Sequence, residues 1–328
     1  MKKRSLKTYL YAVTLSIFTL VNVVAFNQAW HFTHFQPKAT KKTKKPEELS
    51  TVQKVAVLLT GIENPKPTND RFPDLPYETI TYSSHEHQLS AWIIPHEESS
   101  PVVVLFHGYT GKKSDLLDEA LEFYKLGYTT VLVDFFGSGN SDGERCTLGY
   151  LEAEDVKNTC ITLDSLGFPA PILYGQSMGA VAIMRAVAEC EVKPQALILE
   201  SPYHTLRNTV KSRFEIMGAP TFVLPELLVF WGGVQNRFNG FKLNTEEYAI
   251  SISCPTLILQ GTKDHRAGIK TGHIIQQNIQ GHSRLVELEA AHQSLLNLQG
   301  NRWRNEVDLF LNPLFKTDKT QAQSSHPS

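Results

Sequence analysis

Six short apolar runs, rich in β-branched and aliphatic residues, punctuate the chain: VVVLF (102–106), TTVLVD (129–134), PILYG (171–175), QALILE (195–200), PTLILQ (255–260) and SRLVELE (283–289). A segment of helical character follows each of them. A strand with one face in water alternates apolar and polar side chains, whereas near-continuous apolar runs belong to strands covered on both faces. Parallel sheets flanked by helices bury their strands in that way, so the runs predict an α/β fold, doubly wound. Ahead of them, PYETITYS and QLSAWIIP read as a hairpin with Ser84-His85-Glu86-His87 as its turn. No internal repeat with a period of roughly 20–50 residues is present, which argues against solenoids and propellers.

The amino-terminal end is physically different. The whole chain of 328 residues has a net charge of −1, which offers nothing to a nucleic acid. That value is a cancellation: residues 1–50 hold nine Lys/Arg against Glu47 and Glu48, a net of +7, which leaves −8 for the rest. From Thr8 to Pro37 there is no charged Asp, Glu, Lys or Arg, and Tyr9 to Trp30 is mostly apolar. A helix of that stretch is long enough for a bilayer core, which needs about 20 residues. Thr14, Ser16, Thr19, Asn22, Asn27 and Gln28 dilute its hydrophobicity. It reads as an uncleaved anchor ending on Trp30, Phe32 and Phe35, side chains suited to a membrane interface. The alternative is a signal peptide cut near Val23-Val24-Ala25, giving a secreted or periplasmic protein. Four Lys/Arg precede the span and five follow it, so charge does not fix the sidedness. The expected division is a basic end (1–8), the anchor or signal (9–30), a basic linker (31–50), the α/β domain (51–315) and a disordered tail (316–328).

Doubly wound sheets bind ligands at the carboxyl ends of their strands, which narrows the search for chemistry. After PILY comes Gly175-Gln176-Ser177-Met178-Gly179 and then the helical AVAIMRAVAEC, so Ser177 stands where a strand must turn sharply into a helix. A serine hydroxyl is a weak nucleophile and needs a base that a third group orients. His292 follows the last strand run, and Asp264 follows PTLILQ within Gly261-Thr262-Lys263-Asp264. Glu200, at the end of QALILE, is the alternative acid. The order Ser177, Asp264, His292 belongs to one sheet topology in particular.

These pieces, with Phe106-His107-Gly108-Tyr109 and Asp134-Phe-Phe-Gly137-Ser-Gly139-Asn-Ser141, resemble an α/β-hydrolase over residues 77–313. The similarity is to the branch holding monoacylglycerol-lipase-like and serine-aminopeptidase-like enzymes and membrane-anchored hydrolases. It implies a mostly parallel sheet with helices on both faces and a small helical cap, about residues 202–250 here. It further implies that Ser177 attacks a carbonyl, His292 takes its proton and Asp264 orients the imidazole. The backbone N–H groups of Met178 and Tyr109 would bind the oxyanion. His107 and Asp134 are expected to be loop architecture. Two departures stand out: Ala291 precedes the histidine where relatives often have Gly, and His265-Arg266-Ala267 follows the acid.

The expected activity is cleavage of a carboxylic ester or lipid-like substrate through an acyl-enzyme. Peptidase, thioesterase and acyltransferase chemistry would use the same residues, and a catalytically silent binding protein is the alternative of another class. No cofactor and no metal is expected: His85-Glu86-His87 sits in a turn, and neither CxxC nor HExxH occurs. Expected partners are the small-molecule ester and the membrane, with no nucleic acid. Cys146, Cys160, Cys190 and Cys254 allow three pairings, and spacing selects none.

Overall fold

A computed structural model describes residues 6–44, 48–84 and 86–315. The tail 316–328, most of the basic amino-terminal end and His85 of the hairpin turn lie outside the described residues. In chain order the helices are α1 (Leu6–Thr33), α2 (Thr51–Thr60), α3 (Leu117–Lys125), α4 (Glu152–Ser165), α5 (Met178–Glu189), α6 (Leu206–Met217), α7 (Leu224–Asn236), α8 (Thr245–Ala249), α9 (Ile269–Asn278) and α10 (Leu295–Phe315). The strands are β1 (Glu78–Ser84), β2 (His87–Ile94), β3 (Val102–Phe106), β4 (Thr129–Asp134), β5 (Ile172–Gln176), β6 (Ala196–Glu200), β7 (Thr256–Gly261) and β8 (Ser283–Leu288). The described residues divide into two compact units, one within 66–204 and 244–315 and one within 6–65 and 205–243.

The larger unit is an eight-stranded sheet in the order β1-β2-β4-β3-β5-β6-β7-β8. β1 and β2 form the predicted hairpin and β2 runs antiparallel to β4, while β3 to β8 are mutually parallel. Each hairpin strand reaches one residue further than the sequence suggests, so Ser84 pairs with His87. Every residue of β3, β4, β6 and β7 is buried, which is why those runs carry no polar alternation. One core layer packs Phe123, Tyr174, Trp303 and Leu132 among aliphatic side chains of the sheet. The parallel register aligns strand ends, setting Gln176 beside Glu200 and Gly261 beside Leu288. The loops that follow therefore emerge at one edge.

The smaller unit is helical. Ser50 and Gln53 close a capping box on α2, and Thr205 caps α6 through the Asn208 N–H. Gly218 ends α6 in the left-handed conformation, and Pro225 lies in the first turn of α7. Ala29, Phe214, Ala219 and Leu228 form its core, with Phe32, Leu58 and Trp231 against them. Polar groups of α1 are satisfied locally: Ser16 Oγ donates to Ala12 O at 2.8 Å, Asn22 Nδ2 to Phe18 O at 2.9 Å and Asn27 Nδ2 to Thr60 O at 3.1 Å. Gln28 Nε2 donates to Val57 O and Leu58 O. The polar residues that dilute the span thus leave no amide wanting a partner in this stretch. Among the described residues α1 is the one helix long and apolar enough to cross a membrane.

Candidate active site

The local geometry around Ser177 follows from a packing problem. β5 must turn into α5 within one residue, and Ser177 makes that turn at φ 52° and ψ −110°, a conformation costly for a residue with a side chain. Its N–H donates to Glu200 O at 2.7 Å, which ties the turn to the neighbouring strand. Glycine is required on both sides. A Cβ at Gly175 would lie 2.6 Å from Ala180 N, and one at Gly179 would lie 2.3 Å from Phe106 O. Both distances are shorter than real Cβ atoms tolerate.

Ser177 Oγ lies 3.0 Å from His292 Nε2, and His292 Nδ1 lies 2.7 Å from Asp264 Oδ2. With Asp264 ionised, Nδ1 carries the proton and donates it, leaving Nε2 able to accept from the serine hydroxyl. Asp264 itself is buried. Burial pushes its carboxyl up, but hydrogen bonding and attraction from His292, with the N–H groups of Ala267 and Arg266, outweigh it and hold the group below its ordinary value. Oδ1 accepts those two N–H groups at 2.9 and 2.8 Å. The His265-Arg266-Ala267 departure is thus a turn folded on the acid, with Oδ2 left for the imidazole.

Glu200 lies elsewhere. Its Oε1 accepts from Gln176 Nε2 and Leu295 N, each at 2.9 Å, and its Oε2 from Tyr174 Oη at 2.8 Å and Trp303 Nε1 at 3.0 Å. Four donors satisfy this fully buried carboxylate, and no hydrogen bond joins it to His292. Glu119, also buried, accepts from Ser294 Oγ at 2.7 Å. Burial and the charge of Glu200 push its carboxyl up to about 8. The two acids, through Leu295 and Ser294, anchor the chain that leaves His292. Sequence reading did not find this role, because a buried strand-end glutamate has the same signature as a triad acid.

Met178 begins α5, so its N–H has no carbonyl partner within the helix. The loop after β3 approaches from the other side: a Cβ built on Gly108 would stand 3.6 Å from Ser177 Cβ, and Tyr109 comes next. His107 steers that loop. Its Nε2 accepts from Phe135 N at 3.2 Å and its Nδ1 donates to Gly108 O at 2.8 Å. Burial holds this imidazole below its usual value and therefore neutral.

Behind the loop lies a buried ion pair that sequence reading did not foresee. Lys113 Nζ donates to Asp134 Oδ2 at 2.7 Å and to Ser90 Oγ at 2.8 Å, and stands 4.7 Å from the Trp92 ring centre. Asp134 also accepts from the N–H groups of Lys113 and Asn140 and from Asn69 Nδ2. Gly139, at φ +51°, makes room for this carboxylate, since a Cβ there would fall 2.0 Å from it. Among the described residues no group of three or more His, Cys, Asp or Glu is arranged to hold a metal. No disulfide joins Cys146, Cys160, Cys190 or Cys254, all of which lie among the described residues.

Residues 97–243 match the serine aminopeptidase S33 family. The chain is 30% identical to the lysophosphatidylserine lipase ABHD12 of Rattus norvegicus over 178 residues, which is 50% of this chain and 42% of that protein. The Gallus gallus lysophosphatidylserine lipase is 29% identical over 180 residues, 51% of this chain and 44% of the other. The aligned stretch thus spans less than half of these relatives. Among solved structures, the Pyrococcus furiosus esterase Pf2001 superposes with a TM-score of 0.64 at 22% identity, covering 76% of this chain and 96% of the esterase. Est1E of Butyrivibrio proteoclasticus, solved with ferulic acid, gives 0.55 at 16% identity, covering 71% and 99%. With its strand order, its strained serine between two obligatory glycines and these likenesses, the chain has the α/β-hydrolase fold.

Proposed function

We propose that the chain is a membrane-tethered serine hydrolase that cleaves a carboxylic ester of a lipid-like molecule through an acyl-enzyme. Ser177 Oγ bonds to the substrate carbonyl carbon as its proton passes to His292 Nε2. The oxyanion is received by the N–H groups of Met178 and Tyr109. Collapse breaks the ester bond, and the imidazolium returns the proton to the leaving alcohol. A water then repeats the sequence and releases the acid. Asp264 holds His292 in the Nδ1–H tautomer and faces its positive charge.

The unbroken line from Ser177 Oγ through His292 to Asp264, at 3.0 and 2.7 Å, supports this reading most directly. Likeness to lysophosphatidylserine lipases supports the lipid ester, and the long apolar α1 supports the tether. A tagged fluorophosphonate tests it. Wild-type protein should be labelled and Ser177→Ala should not, and a folded wild type that stays unlabelled would overturn the proposal. Comparing intact with permeabilised cells then reports which side of the membrane holds the site.

The match to serine aminopeptidases favours a second reading, amide cleavage at an amino terminus by the same residues. Aminoacyl arylamides turned over faster than acyl esters would establish it.

A further inference from the structure

We propose that the helical segment 205–243 is itself seated in the bilayer surface beside α1, with Phe222, Phe230 and Val234 in contact with lipid. This rests on α1 being an uncleaved membrane helix.

Length carries the argument. From Leu6 to Leu20 every residue of α1 is exposed, a stretch of 15 residues. At about 1.5 Å per residue it spans about 22 Å, short of the roughly 30 Å of a bilayer's hydrocarbon core. About five further residues are needed, and they are where α7 packs. Trp231 Nε1 donates to Asn22 Oδ1 at 3.2 Å, the Phe26 and Trp231 rings meet edge to face at 5.3 Å, and Gln235 Nε2 donates to Phe26 O at 2.9 Å. A bilayer that covers α1 fully must therefore reach the level of α7. A helix lacking the apolar surface for that position would be expelled.

α7 and its approach have that surface. Phe222 is 74% exposed, Val223 53%, Val234 51% and Phe230 47%, beside a small core of Ala29, Phe214, Ala219 and Leu228. Trp231 links the two requirements, because its indole satisfies the amide of Asn22 and removes a polar group from hydrocarbon. Charge agrees. Residues 1–65 and 205–243 together hold 15 Lys/Arg against five Asp/Glu, a net of +10, while the remainder holds 17 against 28, a net of −11. The occupant of this surface is thus an anionic bilayer, which attracts basic segments and accepts exposed aromatic rings at its boundary.

Fluorescence quenching tests the seat. The full chain is reconstituted into phosphatidylcholine and phosphatidylglycerol vesicles whose acyl chains are brominated near the head group. Bromine should quench a component that disappears in Trp231→Phe and persists in Trp30→Phe. Phe222→Trp, placed at an exposed position that does not threaten folding, should add a quenched component. Vesicle-bound protein in which neither Trp231 nor Phe222→Trp is quenched would overturn the seat and leave the tether intact. Protein that alkaline carbonate extracts from the vesicles would overturn the tether, and with it the seat.

Discussion

Asp264 divides its carboxylate between two tasks, holding His292 with Oδ2 at 2.7 Å while Oδ1 folds the following turn onto itself. Orientation of the imidazole and shape of the supporting loop are therefore one feature. Asp264→Asn should lower kcat by roughly 10⁴-fold, because the amide no longer selects the Nδ1–H tautomer. Glu200→Gln should leave far more activity, since its four donors lie away from the imidazole. Ester hydrolysis by the two purified variants separates them.

The same aspartate sets an acid limit on stability. Its folded value lies below its unfolded one, so its contribution is complete above about pH 3.8 and disappears as pH falls through the lower folded value. The Tm advantage of wild type over Asp264→Asn should narrow below pH 4 in melts followed by circular dichroism.

Glu119 should act in the opposite sense. Its carboxyl is raised from 4.5 to about 8, so the folded state binds more protons across that interval and stability falls as pH rises through it. Glu119→Gln keeps an acceptor for Ser294 without the charge. Its Tm relative to wild type should climb between pH 5 and pH 9, and a pH-independent difference would contradict the assignment.

The glycines flanking Ser177 can be compared with an open one. Gly127 has φ +96° and nothing within 4 Å of the place a Cβ would occupy, so Gly127→Ala should cost about 1–2 kcal/mol from backbone strain alone. Gly179→Ala should cost more and abolish fluorophosphonate labelling, because its methyl group meets Phe106 O at 2.3 Å. Urea unfolding with labelling of the folded fraction measures both effects.

Removing the Lys113 ammonium leaves the buried Asp134 carboxylate with hydrogen-bond donors but no countercharge. Lys113→Met should destabilise by about 3–5 kcal/mol, and Lys113→Met with Asp134→Asn by less, because the double variant strands no ion. Denaturant titration of the two variants gives the comparison.

Much of this architecture was legible because the strands are covered on both faces and leave continuous apolar runs. The rule that chemistry sits at carboxyl strand ends led from those runs to Ser177, Asp264 and His292, whose side chains lie within hydrogen-bonding reach of one another. Glu200, the last residue of β6, stood as the alternative to Asp264, three residues beyond β7, since each lies at the carboxyl end of an inner strand; the donors around Glu200 come from residues as distant as Trp303. Lys113 gave no signal either, because an isolated lysine reads as solvated until Asp134 and Ser90 close around it. The packing of α1 on α7 was hidden for another reason. Apolar residues that face lipid and apolar residues that face protein are written in the same letters.

The smaller unit also has a history in time. Asn22 and Trp231 are 209 residues apart. At ribosomal rates of about 5–20 residues per second, α1 waits about 10–40 s before its partner helix is synthesised. During that interval Asn22, Phe26 and Ala29 have no α7 to pack against. Nascent chains interrupted before residue 205 would carry α1 with α2 against it and its α7 face open to translocation factors and chaperones.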